Sequence, residues 1–420
     1  MYQVTRLQNG LTIATAEMPH MASVSLGLWV GVGGRHEPEA LNGVSHFIEH
    51  MLFKGTRRRS AREISQSVEG IGGYLNAFTD EENTCFYSKA QHERFDELLD
   101  VLMDMFLHST FEPAEIAKER DVIKEELAMY LDQPHQHVQE LLNETLWPDH
   151  PLGRSLTGTG KTIDSIGRSQ MLRYQGEKYV TGTTLVVAAG NIRHATVVKA
   201  VRRHGSRLPS GVQPDFQPIV TSQTQPRLRL CSKKTAQTQI ALGIRTCSRH
   251  DESRHALRVL NTILGENMSS RLFQVLREDR GLAYSIHSEL DFFDDVGALI
   301  ISAGLDTDKL PQALKLIVAE LRRCMESTPT AAELRRARDY LIGQLDLGLE
   351  GTENQMMWLG EQLLGYGKVI LPSQTRQRLG EVTPAQVRAA AREFFRPDRT
   401  SLAIVSPLKK EGQISRLLSW

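Results

Sequence analysis

The chain has 420 residues, with 50 Lys and Arg against 50 Asp and Glu and a 40% apolar share. That length allows two or three domains and a core that needs no disulfide or metal staple to fold. Zero net charge excludes a general nucleic-acid binder or an anionic-membrane binder, since both rely on surplus Lys and Arg.

Met1 leads directly into Tyr-Gln-Val-Thr-Arg, without the charged-then-apolar opening of a secretory leader. Period-two alternation predicts strands over Val4–Leu7 and Leu11–Ala14, joined by a tight turn at Asn9-Gly10, and a further strand over Ser23–Val32. From Gly43 the period turns helical, with helices expected near 61–70, 91–108, 113–131 and 135–146 before a strand over Thr184–Ala189. Residues 202–230 carry Pro209, Pro214, Pro218 and Pro226 with Gly205 and Gly211, so they read as a linker. After it the order starts again. Gln239–Arg245 matches the pattern of Val24–Trp29, and helices over 308–326 and 330–349 and a strand over 399–405 complete the second half. The expectation is an α+β fold of two duplicated halves, each a mostly antiparallel sheet packed with helices: residues 1–207, a linker over 208–227, and 228–420.

Gly297–Leu305, the longest apolar run, is half the length of a membrane helix. Cys85, Cys231, Cys247 and Cys324 include no CxxC pair, which fits a reducing compartment and offers no cysteine zinc site. The protein is expected to be cytoplasmic, with no membrane and no nucleic acid among its partners.

His46-Phe-Ile-Glu-His50 carries the sharpest chemical signal. At about 100° per residue, His46, Glu49 and His50 share one stripe of a helix, and Phe47, Ile48, Met51 and Leu52 take the other side. Two imidazoles one turn apart can chelate Zn²⁺, and a carboxylate beside them can take a proton from water. The plain alternative is a solvated helix face, and zinc needs at least one more ligand. The predicted helix over 113–131 offers Glu119 and Glu126 on one face, with Glu125 turned away, although helix carboxylates are usually solvated.

Together these residues resemble the inverzincin peptidases, the pitrilysin and insulin-degrading-enzyme class, in the short two-domain branch that includes mitochondrial processing peptidase. The likeness spans nearly the whole chain: His46–Thr56, Gly72–Thr79, Glu119–Glu126, His150–Arg154 with Gly158-Thr159, and Leu276–Tyr284. It implies that His46, His50 and Glu126, the last lying 76 residues after His50, hold one zinc ion per chain. By the same resemblance Glu49 is the general base and Glu119 orients the site from behind the ligands. Asn76, Ala77 and Phe78 resemble the family's edge strand, to which an extended peptide adds by backbone hydrogen bonds. Arg277 and Tyr284 match the pair that steadies the developing oxyanion; spacing alone would make Arg277 a surface ion-pairing residue.

The second half has one histidine, His255, in its expected helix near 255–267 and no second imidazole a turn later, so it is expected to be metal-free. In the family such halves pair into a clam-like chamber. The resemblance therefore implies a zinc endopeptidase acting on short or unfolded peptides as a homodimer, with a heterodimer containing a degenerate homologue as the alternative assembly. A non-catalytic scaffold subunit of the same family is the alternative function. Thr157–Thr162 falls short of a nucleotide-binding loop because Ser155 stands where glycine is required. Lys54 and Arg57–Arg59 form a basic cluster expected to be a solvated loop.

Overall fold

The computed structural model describes residues 2–205, 208–220, 222–412 and 414–418. The chain divides into two compact units. One takes in the chain to Ala128, Arg154–Gln217 and Leu347–Val369; the other holds Met129–Gly153, Pro218–Asp346 and the chain from Ile370 onward.

The first unit is built on a six-stranded sheet. β1 (Tyr2–Arg6) and β2 (Thr12–Glu17) form the expected hairpin across Asn9-Gly10, and β3 (Ser23–Val30) follows. β4 (Tyr74–Thr79), β5 (Thr84–Gln91) and β6 (Thr184–Gly190) complete the order β1-β2-β6-β3-β5-β4. All neighbours are antiparallel except β2 and β6. The second unit has β7 (Arg227–Ser232), β8 (Thr238–Thr246), β9 (Ala283–Phe292), β10 (Gly297–Leu305) and β11 (Thr400–Ser406) in the order β7-β11-β8-β10-β9. Without β1 the two orders coincide, and the parallel pair β7/β11 stands where β2/β6 stands. The duplication expected from the sequence is thus a repeat of topology.

The central strands are buried end to end because each sheet is covered on both faces. In the first unit, alternate residues Leu26, Leu28, Val186 and Ala188 enter a core filled by α1 (Val44–Leu52), α2 (Ala61–Glu69) and α3 (Phe95–His108). Their neighbours Trp29, Leu185, Val187 and Ala189 meet Met356 and Leu359 of the helix Thr352–Tyr366. The second sheet is covered in the same way. Ala241, Ala298, Ile300, Ala403 and Val405 pack on Val138, Leu142 and Leu146 of α5 (Pro134–Leu146), whose buried residues recur every three to four positions. Each unit therefore completes its sheet with a helix from the other half of the chain, so chain order and spatial grouping differ. α4 (Pro113–Asp132) runs up to α5 and carries the carboxylates Glu119 and Glu126.

No helix or strand occupies residues 208–226 among those described, while 206 and 207, where the first half closes in the sequence reading, lie outside them. The proline-rich segment is pinned on both sides of its middle. Thr181 N–H donates to Pro209 O at 2.9 Å, the Arg35 guanidinium stacks 3.8 Å from the Phe216 ring, and Arg35 Nη2 donates to Gln217 O. Further on, Ile219 N–H donates to Asp295 Oδ2 at 2.8 Å within the second unit.

Three parts of the chain depart from expectation. The linker read over 202–230 is shorter, because its first residues end the helix His194–Gly205 and its last open β7. The helix predicted from 91 begins at Phe95, because Thr84–Gln91 alternates as a strand and pairs on both sides with β3 and β4. β9 was hidden by its mixed composition: only three of its ten residues are fully buried.

Candidate metal centre

Gly43 starts α1 with φ 93°, a conformation that favours glycine, and a Cβ there would stand 2.8 Å from Thr157 O. The orphan amides of the first turn meet Glu37, whose two oxygens accept from Gly43 N–H and Ser45 N–H, both at 2.7 Å. This buried carboxylate was missed by the sequence reading, since Glu37 precedes the helix by several residues and has no capping spacing. Burial pushes its carboxyl up to about 7, against the lowering effect of the amides it accepts from.

Val44, Phe47, Ile48, Met51 and Leu52 bury one side of α1 in the first core, leaving His46, Glu49 and His50 on the opposite stripe. Facing them, α4 repeats at helical spacing: Ile116, Glu119 and Ile123 are buried, and Glu126 follows on the same face. His46 Nε2 and His50 Nε2 lie 3.8 and 3.7 Å from Glu126 Oε2. One ligand atom from each of the three residues lies within 4.8 Å of the others, and no other such trio of His, Cys, Asp or Glu occurs among the described residues.

Behind this trio, His50 Nδ1 lies 3.1 Å from Glu119 Oε2, and Lys54 Nζ lies 2.8 Å from Glu119 Oε1. Lys54 is therefore not part of a solvated basic loop. Its neighbours are engaged too: Arg58 forms a two-pronged pair with Asp100, and Arg59 bonds the buried Asp104 at 2.7 Å as well as Asp100. Arg57 and Arg58 do stay exposed, as expected, whereas Lys54 and Arg59 are drawn out of solvent by Glu119 and by the two acids of α3.

Glu49 accepts from Thr79 Oγ1 at 2.5 Å. Burial raises its carboxyl above the usual range, partly offset by Thr79 and His50. Desolvation, with the adjacent His50, lowers His46 to about 4, so its imidazole is neutral at physiological pH; Glu126 opposes the shift. Two imidazoles and a carboxylate converge, with one imidazole's second nitrogen already engaged by a carboxylate. This donor set fits a divalent cation of the zinc type.

β4 forms one edge of the first sheet, as expected for Asn76, Ala77 and Phe78. Ala77 N–H is taken by Asn76 Oδ1 at 2.9 Å, and Phe78 is held edge-on by Trp29, with ring centroids 5.5 Å apart. Arg277 and Tyr284 come together in the second unit. Arg277 lies on the helical segment Phe273–Asp279, 5.9 Å from the ring of Tyr284, which is the second residue of β9 and is 76% exposed.

Comparison with known proteins places these features in context. Residues 12–160 match the family model for insulinase, peptidase family M16, and residues 165–341 match the model for the peptidase M16 inactive domain. An uncharacterized zinc protease of Streptomyces coelicolor is 38% identical over 419 residues, covering 98% of this chain and 91% of that protein. One from Bacillus subtilis is 37% identical, covering 95% of this chain and 97% of its own length. Among solved structures, a protease from Helicobacter pylori superposes with a TM-score of 0.91 at 21% identity, covering 97% of this chain and 99% of that one. A peptidase M16 inactive domain from Pseudomonas fluorescens gives 0.90 at 19% identity, covering 97% and 98%; both likenesses concern the fold.

Proposed function

The chain belongs to the insulinase family of peptidases, family M16, and from that premise we propose that it is a zinc-dependent endopeptidase acting on short or unfolded peptides. The observation that carries the reading is the convergence of His46, His50 and Glu126 with Glu49 on the same helical stripe. His46, His50 and Glu126 would hold one zinc ion per chain. Zinc in such a site supplies Lewis-acid activation, polarising a carbonyl and bringing the pKa of water toward neutrality.

The protein's own groups do the rest. Glu49 takes a proton from the attacking water and passes it to the leaving amine. Glu119 keeps the His50 proton on Nδ1, so that Nε2 is free to bind metal. A peptide lying along the free edge of β4 would take over the Ala77 N–H that Asn76 Oδ1 occupies, and strand addition would hold it extended. Arg277 and Tyr284 offer a guanidinium and a phenol that strengthen as negative charge builds on the carbonyl oxygen. We assign them this role in a homodimer, where the pair from one chain serves the metal centre of the other. Four free cysteines suit a reducing compartment, which supports a cytoplasmic setting.

The test is Glu49→Gln. Cleavage of unfolded peptides by the zinc-loaded wild type should vanish in this variant while bound zinc, measured by elemental analysis, stays near one per chain. Zinc near zero with no cleavage by the wild type would instead favour a scaffold subunit.

A further inference from the structure

We infer that Thr79 is a positioning residue for the base, fixing which oxygen of Glu49 receives the proton and tying that oxygen to the strand on which substrate is proposed to lie. The inference rests on the peptidase reading above. Thr79 is the last residue of β4 and shares a strand face with Leu75 and Ala77, both packed against the first core beside α1. From there its hydroxyl donates to Oε2 of Glu49 at 2.5 Å. A hydroxyl hydrogen on Oε2 makes that oxygen the less basic of the two and so favours Oε1 as the acceptor of a proton from water, and the bond holds the terminal carboxylate torsion that would otherwise be broad.

The position of the donor is itself fixed. Thr79 pairs with Thr84 across β5, and the turn between them is closed by Asp80 N–H to Asn83 O at 2.9 Å and by Asp80 Oδ1 accepting from Glu82 N–H at 2.7 Å. Gly34 N–H donates to Asp80 O at 3.0 Å, anchoring the turn to the segment before α1. One step back along the strand, Phe78 is clamped by Trp29 and Tyr87. A threonine needed only for strand propensity would not need its hydroxyl aimed at Glu49, and valine would serve as well. The proton transferred in the reaction then runs from water to Oε1 of Glu49 and on to the leaving nitrogen, while the Thr79 proton stays in place on its own oxygen.

The decisive comparison uses the full zinc-loaded chain and an internally quenched peptide that the wild type cleaves. Thr79→Val should lower kcat roughly ten- to a hundred-fold, the scale of a misplaced catalytic group. KM and zinc affinity, the latter from chelator competition, should stay within about two-fold, and Thr79→Ser should recover most of the lost rate. Thr79→Ala repeats the test should the valine variant not fold, with thermal unfolding as the check. Unchanged kcat in both donor-less variants, a fall in zinc affinity as large as the fall in kcat, or no recovery with serine would each overturn the inference. The peptidase reading fails separately: if Glu49→Gln cleaves as well as wild type, or wild type with zinc cleaves nothing, that reading goes and this one with it.

Discussion

Nδ1 of His50 lies 3.1 Å from Oε2 of Glu119, which leaves Nε2 as the nitrogen facing Glu126 at 3.7 Å. A carboxylate accepting from Nδ1–H selects the tautomer whose Nε2 lone pair is free and raises its basicity. Glu119 is thus a partner of His50 and not itself one of the trio that could hold a metal ion. Glu119→Ala should weaken zinc binding by roughly ten- to a hundred-fold. Competition against a chelator of known affinity measures this, and wild-type affinity in that variant would remove Glu119 from the centre.

Lys54 stands behind Glu119 in turn. The Glu119 side chain is only 7% exposed and is paired with the ammonium 2.8 Å away. Lys54 is itself 30% exposed, which places the pair between a surface bridge and a buried one, and Lys54→Met should cost roughly 2 kcal/mol of folding stability. Zinc affinity should fall along with it, and Lys54→Arg should restore both. Denaturant titration of the metal-free variants decides the first expectation; a methionine variant as stable as wild type would mean that solvent already compensates Glu119.

How much of this was legible in the sequence follows from the distance over which each contact acts. The α1 stripe was readable because a 3.6-residue period is local, and Phe47, Ile48, Met51 and Leu52 are buried as that period requires. The shared face of Glu119 and Glu126 was readable for the same reason. That this face meets α1 rested on the resemblance, since nothing local to residues 119–126 points to His50. Thr79, Lys54 and Glu37 were illegible as site residues: Thr79 and Lys54 act through one tertiary hydrogen bond or ion pair and Glu37 through the amides of the α1 start, none with a spacing signature. The amphipathic pattern of α5 was visible, but a helix's apolar stripe does not say which sheet it covers. Hence the exchange of α5 and the helix Thr352–Tyr366 came only from the fold.

Without metal, His46 should make stability depend on pH. Its folded-state pKa, lowered to about 4 by burial and by His50, lies beneath the ordinary imidazole value of 6.5. As pH falls from 6.5 toward 4 the unfolded chain takes up this proton first, so stability is full above 6.5 and is lost through that window. Relative to His46→Gln, metal-free wild type should therefore lose stability progressively across it. Glu37 titrates with the opposite sign, its raised pKa favouring the folded state at lower pH, but it is present in both proteins and cancels in the comparison. Equal slopes in the two proteins would show that His46 is not held neutral.

The outer face of the first sheet offers a separate test that touches neither the proposed ligands nor the proposed base. Trp29 is 1% exposed and lies between Met356, whose Sδ accepts from Nε1–H at 3.4 Å, and Phe78 of β4. On the helix Thr352–Tyr366 its neighbour is Gly360, where a Cβ would come within 2.2 Å of the indole ring. That ring is rigid and enclosed, so an added methyl cannot be met by a small rotation of a chain end; the helix or the indole must move. Gly360→Ala is therefore expected to destabilise by about 1–3 kcal/mol even though alanine favours a helix over glycine. Because Trp29 also holds Phe78, peptide KM should rise while zinc affinity stays at the wild-type level, since His46, His50 and Glu126 lie on α1 and α4. A Gly360→Ala protein as stable as wild type would show that the helix covers the sheet less closely than this packing requires.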